Sequence, residues 1–366
     1  MVTPVYNGEL YLRECIESVL SQTYTHWDFT IINNCSTDRT LEIAEEYAAR
    51  DPRIHVQSND TFVRVIQNYN IAFRQISPTS KYCKVVAADD MLLPKCLEKM
   101  VRLAEEHPNV GIVGAYGLYS RPEMGTYCRG VPYPVSVLSG HEVCRAFLLE
   151  KGPSVFGAAT FVLFRSDMIR SRYSFYNESN FHADTEAYLE FLEQHDFGFV
   201  HQVLTFLRVQ DESLTSISER LNTPLPYRLY ALTKYGPKYL SDRELKEQIQ
   251  LHLRNYYRFL GWQFYKRRQP EFWSFHRKKL IAMGYSLSIP RIAVAATSHA
   301  LDIVLNPKRT VETAVRRFRQ NRSKSSPKPA VGRQWSRRLG RIGNFSGGPN
   351  DAAEEQLAPG SLTANG

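Results

Sequence analysis

Two hydrophobic periods take turns along the first 220 residues. Residues 1–5 are an apolar run that stops at the turn Tyr6-Asn7-Gly8. From 9 to 21, Leu12, Ile16, Val19 and Leu20 recur at helical spacing. A strand is predicted over 27–32 and a helix over 39–50, with Leu41, Ile43, Ala44, Tyr47 and Ala48 mostly on one face. A strand over 53–57, a helix over 62–76 and a strand over 82–87 follow. This order predicts an α/β fold of parallel strands joined by right-handed crossovers. Further on, the pattern predicts a helix over 94–106, a strand over 110–119 and a Pro-, Gly- and Tyr-rich loop over 121–139. A helix over 141–150, a strand over 158–164, a helix over 181–194 and a strand or two over 197–209 complete the series. Residues 224–283 read as helices, and 289–305 as an apolar stretch broken by Pro290, Arg291, His299 and Asp302.

The polar positions gather where strands end. Tyr6-Asn7, the stretch from Asn33 to Asp38, and Asp89-Asp90 each follow an apolar run. In parallel α/β sheets, ligands bind beyond the carboxyl ends of the strands, so these segments are expected on one rim. For KYCKVVAADDMLLP (81–94) two readings stand. The acids hold a divalent cation, or they form a turn with Asp90 capping the helix near Pro94. The common rim favours the cation for Asp89.

Composition changes the picture in the second half. The formal charge is +9, yet residues 306–342 carry twelve Lys or Arg against one acid, Glu312, leaving the rest near −2. The basicity therefore belongs to a tail. Residues 321–366 are low in large apolar side chains and are expected to be disordered. The six cysteines form no C-x-x-C pair, which argues against a zinc site and for reduced, mostly core thiols. The start of the chain shows neither a basic leader nor an apolar core of a signal peptide, and no stretch predicts a spanning helix.

VTPVYNGELYLRECIESVLSQTY, TIINNCSTDRTLEIAEEYA and VVAADDMLLP together resemble the start of a family 2 glycosyltransferase over residues 1–220. The resemblance implies a GT-A fold, a Rossmann-like mixed, mainly parallel sheet flanked by helices, followed by a helical extension (221–320) and the tail (321–366). It also implies inverting transfer from a nucleotide-diphospho sugar. Pro4, Tyr6 and Asn7 would line the nucleotide, with the Tyr6 ring flanking the base. Asn33, where the family usually has Asp, would face the base edge. Ser36 and Asp38 would shape the nucleotide loop, Asp38 capping the next helix, and Asn68 and Asn70 would order the pocket.

Asp89, with Asp90, would bind Mg²⁺ or Mn²⁺ beside a UDP-, dTDP- or GDP-sugar. Ala87 stands where the fuller motif has a further acid, and Gln210 where the family often has His. Asp184 in FHADTEAYLEFL matches the catalytic base, with Ala183 replacing the usual Glu and Glu186 as rival. The acceptor would be a glycan or lipid-linked saccharide in surface polysaccharide synthesis, at the cytoplasmic face of the membrane. Trp262, Phe264, Tyr265, Trp273 and Phe275, interleaved with basic residues, would lie on the membrane or cap the domain. No specific nucleic-acid contact is expected. The missing ligands keep open a second class, a catalytically inactive nucleotide- or sugar-binding module. A nucleotidyltransferase ranks last, because PVYNGELYLRE lacks a Gly-rich basic phosphate loop.

Overall fold

The computed structural model describes residues 1–120, 125–208, 214–266 and 268–305. Strands β1 (Val2–Val5), β2 (Phe29–Asn33) and β3 (Ile54–Ser58) run parallel in that spatial order. Every residue of β2 is buried, as expected of a strand covered on both faces. Helices α1 (Leu12–Leu20) and α2 (Thr40–Ala48) make the crossovers, burying Leu12, Cys15, Ile16 and Val19 from one and Ile43, Ala44 and Tyr47 from the other. Helix α3 (Val65–Arg74) leads to β4 (Tyr82–Lys84). β4 is shorter than the predicted 82–87 strand because Val85 and Val86 leave it to join β1. Val2 bridges Val85, and the Val86 amide donates to Val2 O at 3.1 Å.

Then come β5 (Met91–Leu92), α4 (Cys96–Glu106), β6 (Val110–Ser120), β7 (Gly125–Tyr127), β8 (Val137–Leu138) and α5 (Gly140–Leu149). A 3-10 turn, Ala159–Phe161, opens β9 (Val162–Arg165), and α6 (Ser166–Arg170), α7 (Ala183–Phe191) and β10 (Asp196–Arg208) follow. The second sheet has the order β4-β9-β6-β10-β5. It is mixed: β9 runs antiparallel to β4 and β6, whereas β10 is parallel to β6. This strand direction has a consequence for the rim. β9 starts where β4 ends, so the Ala159–Phe161 turn arrives beside the acid pair, and β10 delivers Arg208 to the same edge.

One apolar core, with Leu12, Ile16, Phe29, Ile31, Met100 and Leu163, lies under α1, α2 and α4. A second joins α5, α7 and β9 to α9 (Pro224–Tyr239) through Leu148, Tyr188, Leu192, Leu232 and Tyr235. Packing continues past the boundary expected near Arg220: the first long helix after it, which follows α8 (Leu214–Leu221), shares this core. A third, smaller core forms among α9, α10 (Asp242–Tyr265), α11 (Pro270–Ala282) and α12 (Ile289–Leu305) around Leu229, Tyr256, Leu260, Phe272, Leu280 and Ile292. A Ser241–Glu244 capping box starts α10. Gly261 lets α12 press against α10; a Cβ there would lie 2.8 Å from Ala295 Cβ. Among the described residues no helix is long and apolar enough to cross a membrane. Gln210, the basic run after Asn306 and the tail over 321–366 lie outside the described residues.

Candidate active site

Three loops make one side of the rim, and they hold each other by hydrogen bonds. Pro4 sits half-buried on β1 opposite Ile32, which sets the height of the turn that follows. Asn7 takes a left-handed φ of 50°, at which Asn is better tolerated than most side chains. Its Oδ1 accepts the Thr37 amide at 2.9 Å, and its own amide donates to Ser36 Oγ at 3.0 Å. Asp38 Oδ2 accepts the Glu9 amide at 3.1 Å while Oδ1 accepts the Thr40 amide at 3.0 Å, so this residue ties the first turn of α2 to the β1 turn from one position before the N-cap, Arg39. Burial pulls the Asp38 carboxyl upward, but bonds from Thr40 and Glu9 hold it below the usual range.

Asn33 differs from expectation. It is buried, its Nδ2 donates to Ser58 Oγ at 3.1 Å, and its Oδ1 accepts the Ser36 amide at 3.1 Å. Its amide is thus committed to the loop rather than presented as an open base edge. Asn68 is also buried, accepting from Asn59, which bonds Asn34 in turn. Asn34 grips Val63 through both main-chain atoms. This clamp carries Phe62, which the hydrophobic pattern had absorbed into a helix. Instead α3 begins at Val65, and the 59% exposed Phe62 ring meets the 49% exposed Tyr6 ring edge-on at 4.9 Å. Two exposed aromatics in contact at a rim form a platform for a planar ligand.

The acid pair is asymmetric. Asp90 is 1% exposed, and its carboxylate accepts Thr160 Oγ1 at 2.6 Å and the Arg208 amide at 3.1 Å. Burial first, and then the charge of Asp89, push its pKa well above the usual value. Asp90 is thereby a structural acid, correcting the expectation that both carboxylates ligate a cation. Asp89 is half-buried; its carbonyl accepts Arg208 Nη1 at 2.7 Å. The same guanidinium bonds Glu14 of α1 and lies 4.5 Å from the Tyr11 ring centre. Arg208 and Thr160 were not singled out as site residues. Arg208 sits in the Arg-x-Gln stretch, whereas nothing local marks Thr160.

Among the described residues no three His, Cys, Asp or Glu side chains form a metal cage. One half-buried carboxylate still suits Mg²⁺ or Mn²⁺, which are commonly held by one or two carboxylates plus substrate phosphates and water.

Asp184 lies in the first turn of α7. Its Oδ1 accepts the Thr185 amide at 2.7 Å, and burial raises its pKa despite that bond. Ionisation of the Tyr69 phenol is opposed by burial and then by the charges of Asp90, Asp89 and Asp184. Asn70 ties the same helix α3 to the approach to α7, donating to Tyr176 O at 2.8 Å and accepting the Tyr176 amide at 2.8 Å.

Glu186, the rival base, is taken up elsewhere. It is 2% exposed and accepts from Asn177, Asn180, Tyr230, Lys234 and Tyr235. Burial pulls it up, but the bonds from Asn180, Lys234 and Tyr230 win and lower its pKa.

The profile of the glycosyl transferase family 2 matches residues 1–128. EpsE of Bacillus subtilis (strain 168) is 34% identical over 147 residues, 36% of this chain and 52% of that one. TuaG of the same organism, named for teichuronic acid biosynthesis, is 32% identical over 108 residues, 29% of this chain and 41% of that one. The chain thus spans about half, or less, of the length of these curated relatives. The crystal structure of S. aureus TarS 1–349 with UDP-GlcNAc superposes with a TM-score of 0.57 at 14% identity, covering 87% of this chain and 91% of that one. Residues 1–128 thus match the family 2 glycosyltransferases, and the chain has a GT-A fold.

Proposed function

We propose that the protein is an inverting glycosyltransferase that moves a sugar from a nucleotide-diphospho donor to a hydroxyl of a glycan or lipid-linked saccharide. The observation that carries this reading is a rim that holds the exposed Tyr6–Phe62 pair after β1 and, after the segment bridged to β1, the half-buried Asp89 in a loop fixed by Thr160 and Arg208. A donor lying over the Tyr6–Phe62 platform would direct its diphosphate toward Asp89. Asp184 would then take the proton of the acceptor hydroxyl as its oxygen bonds to the anomeric carbon. The bond from that carbon to the diphosphate breaks, the nucleoside diphosphate leaves, and one displacement inverts the centre. A carboxyl whose pKa is raised by burial is a stronger base once ionised. Arg208 and Thr160 hold the acid loop, and Asn70 holds the approach to α7. Bound Mg²⁺ or Mn²⁺, ligated by Asp89 and the donor phosphates, would neutralise charge on the leaving group.

The acceptor class draws on the relative named for teichuronic acid synthesis. We further infer work at a cytoplasmic membrane face, since Phe264, Val294, Leu301 and Leu305 expose apolar surface ahead of the basic segment that begins at Lys308. Sedimentation with anionic vesicles should carry the protein down; no binding at low salt would sink that part.

The central test incubates the protein with UDP-, GDP- and dTDP-sugars, Mn²⁺ and saccharide acceptors, and follows products by mass spectrometry. A glycosylated product of inverted configuration supports the reading. Tight nucleotide binding with neither transfer nor donor hydrolysis would make the protein a binding module instead.

A further inference from the structure

Lys84 is 1% exposed at the end of the short strand β4, opposite Leu163 of β9. Among the described residues it has no ion-pair partner. Its ammonium donates to two main-chain carbonyls, Thr160 O and Val162 O, the latter at 3.1 Å. A buried cation without a carboxylate at contact distance costs several kcal/mol in desolvation, so its retention calls for a reason. The reason lies one residue away. Thr160 takes the Lys84 bond on its carbonyl and spends its side chain on the acid loop. Its Oγ1 donates to Asp90 Oδ2 at 2.6 Å and accepts the Ala87 amide at 3.1 Å. The Asp90 amide closes the loop on Ala87 O at 2.9 Å. A continuous chain of hydrogen bonds therefore runs from the ammonium through the 3-10 turn to the strand end that carries Asp89.

We propose that Lys84 is a positioning residue for the donor site: it fixes the Ala159–Phe161 turn so that Thr160 sets the loop from Ala87 to Asp90 and aims Asp89 at the donor diphosphate. The proposal rests on the donor-site reading above. It also accounts for a loop that keeps its shape with Ala87 in place of a further acid. Lys84 has no reach to the substrate and acts only through Thr160.

The test is a double-mutant cycle of Lys84→Met and Thr160→Val in the full chain, read in two ways. The first is calorimetric titration with UDP, GDP and dTDP at saturating Mn²⁺. The second is amide exchange at Ala87, with Ile31 and Ile32 of β2 as controls. Each single change is expected to weaken binding of the best nucleotide by about tenfold, and the double change by no more than the larger single, since the two residues form one series. Ala87 should exchange about tenfold faster in Lys84→Met while β2 is unchanged. Independent losses that multiply, an unchanged Ala87, or protection lost equally in β2 would each overturn the proposal. If Lys84→Met does not fold, Lys84→Gln, which keeps a donor without the charge, takes its place in the cycle. A wild-type chain that binds none of the three nucleotides would defeat the donor reading, and exchange at Ala87 would then decide the role of Lys84 alone.

Discussion

The first turn of α7 carries two acids, and they belong to different regions of the molecule. Asp184 has Thr185 of its own turn supplying its hydrogen bonds, and its charge acts on the Tyr69 phenol. Glu186 is 2% exposed and faces α9, where three tyrosine or lysine side chains converge on it together with Asn177 and Asn180. Glu186 is buried and Asp184 partly so. The outcome differs in sign because their partners differ: burial wins at Asp184 and raises its pKa, whereas hydrogen bonds and the Lys234 charge win at Glu186 and lower it. An acid kept short of donors retains basicity for chemistry, while one saturated with donors becomes a joint. The two residues are only two apart in sequence, and the helix turns them to different sides.

The largest effect should come from Asp184→Asn. Loss of a general base costs about 10²–10⁴-fold in turnover, so transfer should fall by that factor while nucleotide affinity holds. Its folded pKa lies above the unfolded value, so this group favours folding at low pH and weakens it as pH rises through the raised pKa. Asp184→Asn should therefore leave the neutral-pH melting temperature equal or higher. Wild-type turnover should fall as pH drops through the raised pKa. Turnover retained in Asp184→Asn would overturn the base assignment.

Glu186→Ala should show the reverse pattern. Removing one member of a buried charged cluster costs about 3–5 kcal/mol, which denaturant titration would detect, and the lost stability should come without a specific loss of nucleotide affinity. The depressed pKa of Glu186 gives a separate pH signature. Its contribution is present above the ordinary carboxylate value and is lost as pH falls through the lower folded one. In mild acid, turnover should thus fail before the fold does. Loss of the fold ahead of activity would contradict the division between the two acids.

Which of these features the sequence displayed follows from the distance between partners. The alternation of β1, α1, β2 and α2 is local, because burial period and turn residues lie within each segment. Strand direction is not local, and the antiparallel entry of β9, which brings Thr160 to Asp90, left no periodic mark. Asp184 was read from its family motif alone. The role of Glu186 was hidden because Tyr230, Lys234 and Tyr235 follow it by more than 40 residues. Phe62 was misplaced because an apolar side chain at helical spacing looks the same whether it is buried or sits on a loop. Asn33 was read from its family position, and only its contacts with Ser58 and Ser36 reveal how its amide is spent.

A smaller effect is expected at Tyr235, whose hydroxyl reaches Glu186 at 3.0 Å and Glu190 at 2.6 Å. Hydrogen bonds to charged groups are worth about 1.5–3 kcal/mol, so Tyr235→Phe should lower stability by that amount. Equilibrium unfolding of the single variant checks it, and a change near zero would mean that the remaining donors suffice for Glu186.

The smallest effect separates charge from hydrogen bonding in that cluster. Lys234 bonds Glu186 at 2.8 Å and Glu190 at 3.3 Å, but its side chain is 44% exposed. Water screens such a cation, and pairs of this kind contribute about 1 kcal/mol or less. Lys234→Met removes the only cation bonded to Glu186 among the described residues and leaves both tyrosines and both asparagines in place. If the joint rests on hydrogen bonds, stability should drop by no more than about 1 kcal/mol, with a drop that shrinks further in high salt. A loss as large as that of Glu186→Ala would show that the cation holds Glu186 ionised, and that neutral donors alone cannot. Glu186 would then share with Asp184 the tendency of a buried acid to take up a proton, and Lys234 would be what sets the two apart.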